Sequence, residues 1–188
     1  MTLPLILASA SPRRKELMKG LKIPFRVIPS GLAEPPPGWL DPATYTKKLA
    51  LAKAQGVAKR VPESWVLGAD TVVVHRGQIL GKPIDFADAC RILSRLQGST
   101  HRVVTGVALM NAATGKAKTA HAVSEVTMRR MEPAEIGRYA RKHLDKAGAY
   151  AVQEKKDPVV AQIKGSYTNV VGLPMELVKK LLRGLTPL

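Results

Sequence analysis

Trp65-Val66-Leu67-Gly68-Ala69-Asp70-Thr71-Val72-Val73-Val74 is a nearly continuous apolar run holding a single carboxylate. Such a texture reads as a central strand buried on both faces, which places the chain among α/β proteins. An ionised aspartate inside it is costly unless a cation, a metal or several donors meet it. Two readings of Asp70 stand at this point. It is either a functional carboxylate or the end of a strand bonded to a neighbouring loop. Gly68 and Ala69 just before it leave room for another group to approach the backbone.

Working outward, the three apolar residues Leu5-Ile6-Leu7 read as a second buried strand, and Ser9-Ala10-Ser11-Pro12-Arg13-Arg14 beyond it turns into a helix. Ser11 is a good N-cap and Pro12 suits the first helical position. That sets Arg13 and Arg14 in the first turn, beside free backbone donors, where hydroxyls and guanidiniums together suit a phosphate. The plainer alternative is a solvated basic helix start. Gly20 ends this helix and Phe25–Ile28 reads as a strand. Glu34-Pro35-Pro36-Pro37-Gly38 is a stiff surface loop. Asp41-Pro42 repeats the cap signal for a helix running to about Arg60, with Tyr45, Leu49 and Ala52 on one face. Lys53 falls at the edge of that face, where a lysine is usually a stem reaching for solvent.

Arg76-Gly77 marks a turn, Gln78–Leu80 returns, and Gly81-Lys82-Pro83 follows; a hairpin there is expected to carry Lys82 back near Asp70. Asp85 caps a helix ended by Gly98. Two long strands, 102–112 and 118–129, are joined at Thr114-Gly115, and Glu132-Pro133 opens another helix. Strands are expected near 159–163 and 167–171, then a helix from Pro174 to Gly184. The sum is a mixed α/β single domain over residues 1–188, with two lobes.

The 188 residues are 45% hydrophobic but only 4% aromatic, so Val, Leu, Ile and Ala fill the core. No run of about 18 apolar residues offers a membrane span. The short apolar opening lacks a basic region before it, against a signal peptide. One cysteine, Cys90, excludes an intramolecular disulfide framework and reads as core. A cytoplasmic protein is expected. The 30 Lys and Arg against 14 Asp and Glu give a formal charge of +16, which favours anionic partners. The basic residues are dispersed and no aromatics interleave with them, so nucleic acid is not the expected partner. Walker A and Gly-x-Gly-x-x-Gly loops are absent. His75, His101, His121 and His143 lack zinc-ligand spacing, and no nucleophile elbow supports a serine hydrolase.

Ser9-Ala10-Ser11-Pro12-Arg13-Arg14, Glu34, Lys53, Gly68-Ala69-Asp70-Thr71, Gly81-Lys82-Pro83, Asp145-Lys146-Ala147-Gly148-Ala149-Tyr150, Gln153 and Gly165-Ser166-Tyr167 with Asn169-Val170-Val171-Gly172-Leu173-Pro174 together resemble the Maf family. The resemblance runs from residue 5 to about residue 182. It implies the fold of the inosine-triphosphate pyrophosphatases, a mixed-sheet, two-lobed domain around a deep cleft, often dimeric. It also implies a nucleoside triphosphate pyrophosphatase that cleaves between the α and β phosphates with Mg²⁺ or Mn²⁺. The family was also named for inhibition of septum formation.

Thr71, Tyr150 and Gln153 side with the family's dTTP/UTP branch rather than its 7-methyl-GTP branch. A glutamine amide offers a pyrimidine edge both a donor and an acceptor. Ala151 and Glu154 depart from that branch, adding a methyl and a charge where it usually has glycines. By this resemblance Asp70 accepts the proton of the attacking water, and Glu34 with Asp70 holds the metal. Ser9, Ser11, Arg13, Arg14, Lys53 and Lys82 meet the phosphates, and Thr71 and Gln153 choose the nucleotide. The other readings are a 7-methyl-GTP pyrophosphatase and a nucleic-acid-binding or septum-regulating protein.

Overall fold

A computed structural model describes residues 3–152 and 159–183. Among the described residues, seven strands form one mixed sheet in the order β2 (Phe25–Val27), β1 (Leu5–Ala8), β3 (Trp65–His75), β5 (Thr100–Asn111), β6 (Ala117–Met128) and β7 (Val160–Lys164), with β4 (Gln78–Leu80) paired to β3. β1 runs parallel to β2 and β3, whereas the β3–β4 and β6–β7 pairs are antiparallel. The chain divides into two compact units. The first comprises Met1–Thr71, Thr105–Ala122 and Gly172–Leu188, and the second Val72–Val104 and Val123–Val171.

In the first unit strand alternation sorts the side chains onto two faces. Leu5, Leu7, Leu67, Ala69, Val107 and Leu109 pack with Met18 of α1 (Pro12–Lys19) and with Met175, Val178 and Leu182 of α6 (Met175–Arg183). Ile6, Ala8, Val66 and Ala108 pack on the opposite face with Ala50, Ala54, Val57 and Ala58 of α2 (Pro42–Ala58). Position 70 shares parity with 66 and 68, so Asp70 belongs to the α2 face, while Ala69 and Thr71 belong to the α1 face. The α2 face is small-residue-rich, and two strand glycines let it come closer still. A Cβ on Gly68 would lie 2.1 Å from the Ala50 carbonyl oxygen, and one on Gly106 would lie 2.3 Å from the Thr46 carbonyl carbon.

Local caps form as their chemistry requires. The Ser11 side chain accepts from the Arg14 N–H with Pro12 at the helix start, and Asp41 accepts from the N–H groups of Ala43 and Thr44 at the start of α2.

In the second unit, α3 (Phe86–Leu96) and α4 (Pro133–Lys142) bury Ala89, Ile92, Leu93, Leu96, Ile136, Tyr139 and Ala140 with Val73, Val103 and Val126. Cys90 packs partly buried against this cluster. Arg76 and Gly77, both at positive φ, make the β3–β4 hairpin turn as expected. The segment 167–171 departs from expectation: it is a short helix, α5 (Tyr167–Val171), not a strand. Its β-prone residues are overruled by tertiary bonds. The Ser166 hydroxyl accepts from the Asn169 N–H, while the Asn169 amide donates to the Val103 carbonyl and to Ser124 Oγ, each at 3.0 Å.

His101 on β5 is 2% exposed, and its Nε2 lies 2.8 Å from the Tyr150 hydroxyl with the rings edge to face. Burial, and to a lesser degree His75, pushes the His101 pKa from its ordinary 6.5 down to about 4.

Two expectations follow from this packing. Gly68→Ala forces α2 off the sheet and lowers stability by about 3 kcal/mol or more in denaturant titrations, because the obstructing atom is backbone. Since the unfolded chain takes up the His101 proton near 6.5 and the folded chain only near 4, this residue withdraws stability as pH falls across that interval. The withdrawal is on the order of 3 kcal/mol. In urea midpoints measured from pH 7 to 4, His101→Gln should flatten that acid-side slope; an unchanged slope would sink the assignment.

Candidate active site

The buried centre of the first unit is a cation between two carboxylates. Lys53 Nζ donates to Asp70 Oδ1 and to Glu34 Oε1, both at 2.6 Å. Lys53 and Asp70 are 7% and 4% exposed, whereas Glu34 stands in an open loop. The parity of β3 turns Asp70 toward α2, and the close approach at Gly68 brings the lysine stem within reach. Burial raises the Asp70 pKa above the usual carboxylate range, outweighing the opposing pull of Lys53 and, more weakly, Arg14. A carboxylate so placed is a better proton acceptor than a solvated one.

Glu34 is delivered by the proline loop. The Tyr45 hydroxyl donates to the Pro35 carbonyl at 2.7 Å, so two side chains of α2, Tyr45 and Lys53, grip consecutive residues of that loop. Tyr45 reads in sequence as an apolar-face residue; the aromatic at the start of a helix that also carries Lys53 was the available signal.

The two carboxylates fit a hard divalent cation, since both already converge on one positive charge and both offer oxygen donors. Among the described residues no group of three or more His, Cys, Asp or Glu could hold a metal, so phosphate and water oxygens would have to complete the shell.

Around the start of α1, Ser9 Oγ accepts from the Ser11 N–H at 3.2 Å and Ser11 Oγ accepts from the Arg14 N–H at 3.4 Å. Neither hydroxyl donates to a protein acceptor among the described residues, so both protons remain for an anion. Arg13 sits in the first turn, as expected. Arg14, expected at the phosphates, has a guanidinium bonded to protein groups: Nε donates to the Gly172 carbonyl at 2.8 Å, Nη1 to the Ala69 carbonyl at 2.9 Å, and Nη2 to Thr71 Oγ1 at 3.0 Å. Thr71 Oγ1 also lies 2.9 Å from Thr105 Oγ1. Thr105 is not legible as a partner from sequence, because the pairing joins residues 34 apart on neighbouring strands.

Lys82 is exposed and belongs to the second unit, where the Gly148 N–H donates to the Gly81 carbonyl at 3.3 Å. That bond ties Gly81-Lys82-Pro83 to the segment carrying Tyr150. Gln153, with Glu154, lies outside the described residues.

The model of the Maf family, described as Maf-like protein, matches residues 4–185. The chain belongs to the Maf family. A Maf relative from Moorella thermoacetica is 48% identical over 180 residues, covering 95% of this chain and 93% of its own. One from Pelotomaculum thermopropionicum is 44% identical over 181 residues, covering 95% of each. Another from Gloeobacter violaceus is 45% identical over 184 residues, covering 97% of this chain and 96% of its own. All three are named dTTP/UTP pyrophosphatase. The crystal structure of a nucleoside-triphosphatase/dITP/XTP pyrophosphatase from Mycobacterium abscessus aligns with a TM-score of 0.46 at 15% identity, over 97% of this chain and 95% of that one. At that level it adds nothing to the family assignment.

Replacing Lys53 by methionine strands Asp70 in a dry site without its ammonium. The variant should lose about 3 kcal/mol in denaturant titrations of metal-free protein at neutral pH, with a smaller loss as acid protonates Asp70. Equal stability of the two proteins would contradict the ion triad.

Proposed function

We propose that this Maf protein, as one domain spanning residues 1–188, hydrolyses dTTP and UTP to the nucleoside monophosphate and pyrophosphate. The observation that carries the reading is the Glu34–Lys53–Asp70 triad, a buried base and a cation set among residues of the Maf motifs. The names of relatives at 44–48% identity supply the substrate.

Asp70, its proton affinity raised by burial, takes the proton of the water that attacks the α-phosphorus. The P–O bond to the β-phosphate then breaks and pyrophosphate leaves with the bonding pair. Ser9, Ser11 and Arg13 donate to the phosphate oxygens at the start of α1, where the helix dipole adds positive potential. Lys53 orients Asp70 and Glu34 and offsets charge on the phosphates. Glu34 and Asp70 would hold a divalent cation, which supplies further neutralisation of the phosphate oxygens when bound. Lys82 on the leaving pyrophosphate and Gln153 on the base are assigned from the family motif, as is a cytoplasmic homodimer.

Purified protein with Mg²⁺ or Mn²⁺ should release pyrophosphate from dTTP and UTP well ahead of CTP, GTP, ATP and 7-methyl-GTP. Asp70→Asn should lower kcat by about 10²–10⁴-fold with an unaltered circular dichroism spectrum. Preference for 7-methyl-GTP would move the chain to the other branch. An Asp70→Asn variant with full activity would remove the assigned base.

A further inference from the structure

Lys82 is exposed, and among the described residues its ammonium makes no hydrogen bond, so the protein places it through the backbone. Three holds fix that backbone. Leu80, just before it, pairs with Val73 in the β3–β4 ladder. Ile84, just after it, donates its N–H to Asp88 Oδ2 at 3.1 Å, in the turn that Asp85 caps. Between these two, the Gly81 carbonyl accepts from the Gly148 N–H at 3.3 Å. This third hold comes from a distant stretch of chain and grips the peptide on which Lys82 begins.

The stretch that supplies it is strained. Gly148 and Ala149 have φ of +77° and +56°, and a residue with a β-carbon seldom enters that region. Such backbone persists where its surroundings over-determine it. A Cβ on Gly148 would lie 3.0 Å from Tyr150 Cε1 and 3.0 Å from Val73 Cγ2, so the tyrosine ring and β3 close on this glycine from two sides. The ring is held in turn at its tip. The Tyr150 hydroxyl lies 2.8 Å from His101 Nε2, with the two rings edge to face.

Tyr150 and His101 are 6% and 2% exposed, and the cluster around the tyrosine, with Val73, Val103 and Val126, is apolar. Phenylalanine and leucine would fill the same space without burying two polar groups. His101 Nδ1 has no partner among the described residues, so the bond to Tyr150 is the imidazole's one compensation. What a directional bond adds over apolar packing is a fixed orientation. We propose that Tyr150 and His101 are positioning residues for Lys82. His101 pins the tyrosine hydroxyl, the pinned ring shapes the left-handed turn at 148–149, and that turn holds the Gly81 carbonyl. The inference rests on the assignment of Lys82 to the leaving pyrophosphate, which the Lys82→Ala variant below tests by itself.

The test measures affinity for inorganic pyrophosphate in Mg²⁺ buffer, thermal midpoint, and hydrogen exchange of the Gly148 amide. Its variants are Lys82→Ala, Tyr150→Phe, these two together, and His101→Leu with Tyr150→Phe. Lys82→Ala should weaken pyrophosphate about tenfold or more, as loss of a charged contact does. Tyr150→Phe should also weaken it about tenfold, but by less than about twofold once Lys82 is gone, because both act on one contact. Replacing both members of the buried pair leaves no orphaned polar group, so His101→Leu with Tyr150→Phe should melt within a few degrees of wild type. It should nevertheless bind pyrophosphate about tenfold more weakly, which a merely structural role would not produce. Gly148 exchange should quicken about tenfold in the three Tyr150 variants and not in Lys82→Ala alone.

Losses in Tyr150→Phe and Lys82→Ala that multiply independently would overturn the proposal. So would wild-type affinity in the stable His101→Leu, Tyr150→Phe protein, or unaltered Gly148 exchange in the Tyr150 variants. If Tyr150→Phe by itself does not fold, the protein lacking both partners carries the affinity and exchange readings. A Lys82→Ala protein that binds pyrophosphate as wild type does would refute the assignment of Lys82 alone, since Gly148 exchange judges the tie without ligand.

Discussion

A lysine ammonium and an aspartate removed from water, 2.6 Å apart, set the terms for the first unit. Such a pair is weak evidence for stability, because the desolvation of two charges offsets most of their attraction. Asp70 shows the balance directly: burial shifts its proton affinity upward even with Lys53 in contact. A fold selected for stability alone would place apolar side chains there. The charges are retained, and the surroundings are arranged to hold them. The glycines at 68 and 106 admit α2 to the sheet, the Tyr45 hydroxyl fixes the loop that delivers Glu34, and α1 holds the backbone flanking the aspartate.

The alternation of β3 is what makes this possible with so few residues. One strand offers a carboxylate to the helix on one face and, from the adjacent positions, a carbonyl and a hydroxyl to the helix on the other. The lysine comes from α2 and the arginine from α1, and the two cations are kept apart by the thickness of the sheet. Their division of labour follows from geometry: the compact ammonium meets carboxylates, while the planar fork meets acceptors spread along backbone.

Features governed by neighbouring residues were legible in the sequence. The Ser11-Pro12 and Asp41-Pro42 caps, the Arg76-Gly77 hairpin and the buried central strand all appear where local chemistry places them. The helix at 167–171 was not legible, because Tyr-Thr-Asn-Val-Val favours a strand and the bonds that decide against it come from Val103 and Ser124, far along the chain. The motif placed Arg14 near the site yet carried no information about the direction of its guanidinium. Lys53 was a weak candidate from its helix position alone, since its partners lie 17 and 19 residues away on two other segments. Proximity is written in motifs, but orientation is written in packing.

The absent side chains at 68 and 106 also act as a ruler. With α2 resting directly on the strands, one lysine stem reaches from the helix to the sheet's carboxylate. An amine shorter by one methylene would draw away from the carboxylate that Lys53 now meets. The choice of lysine at position 53 is thus made by two residues that possess no side chain, and drift at either glycine would have to be matched by a new cation at the helix.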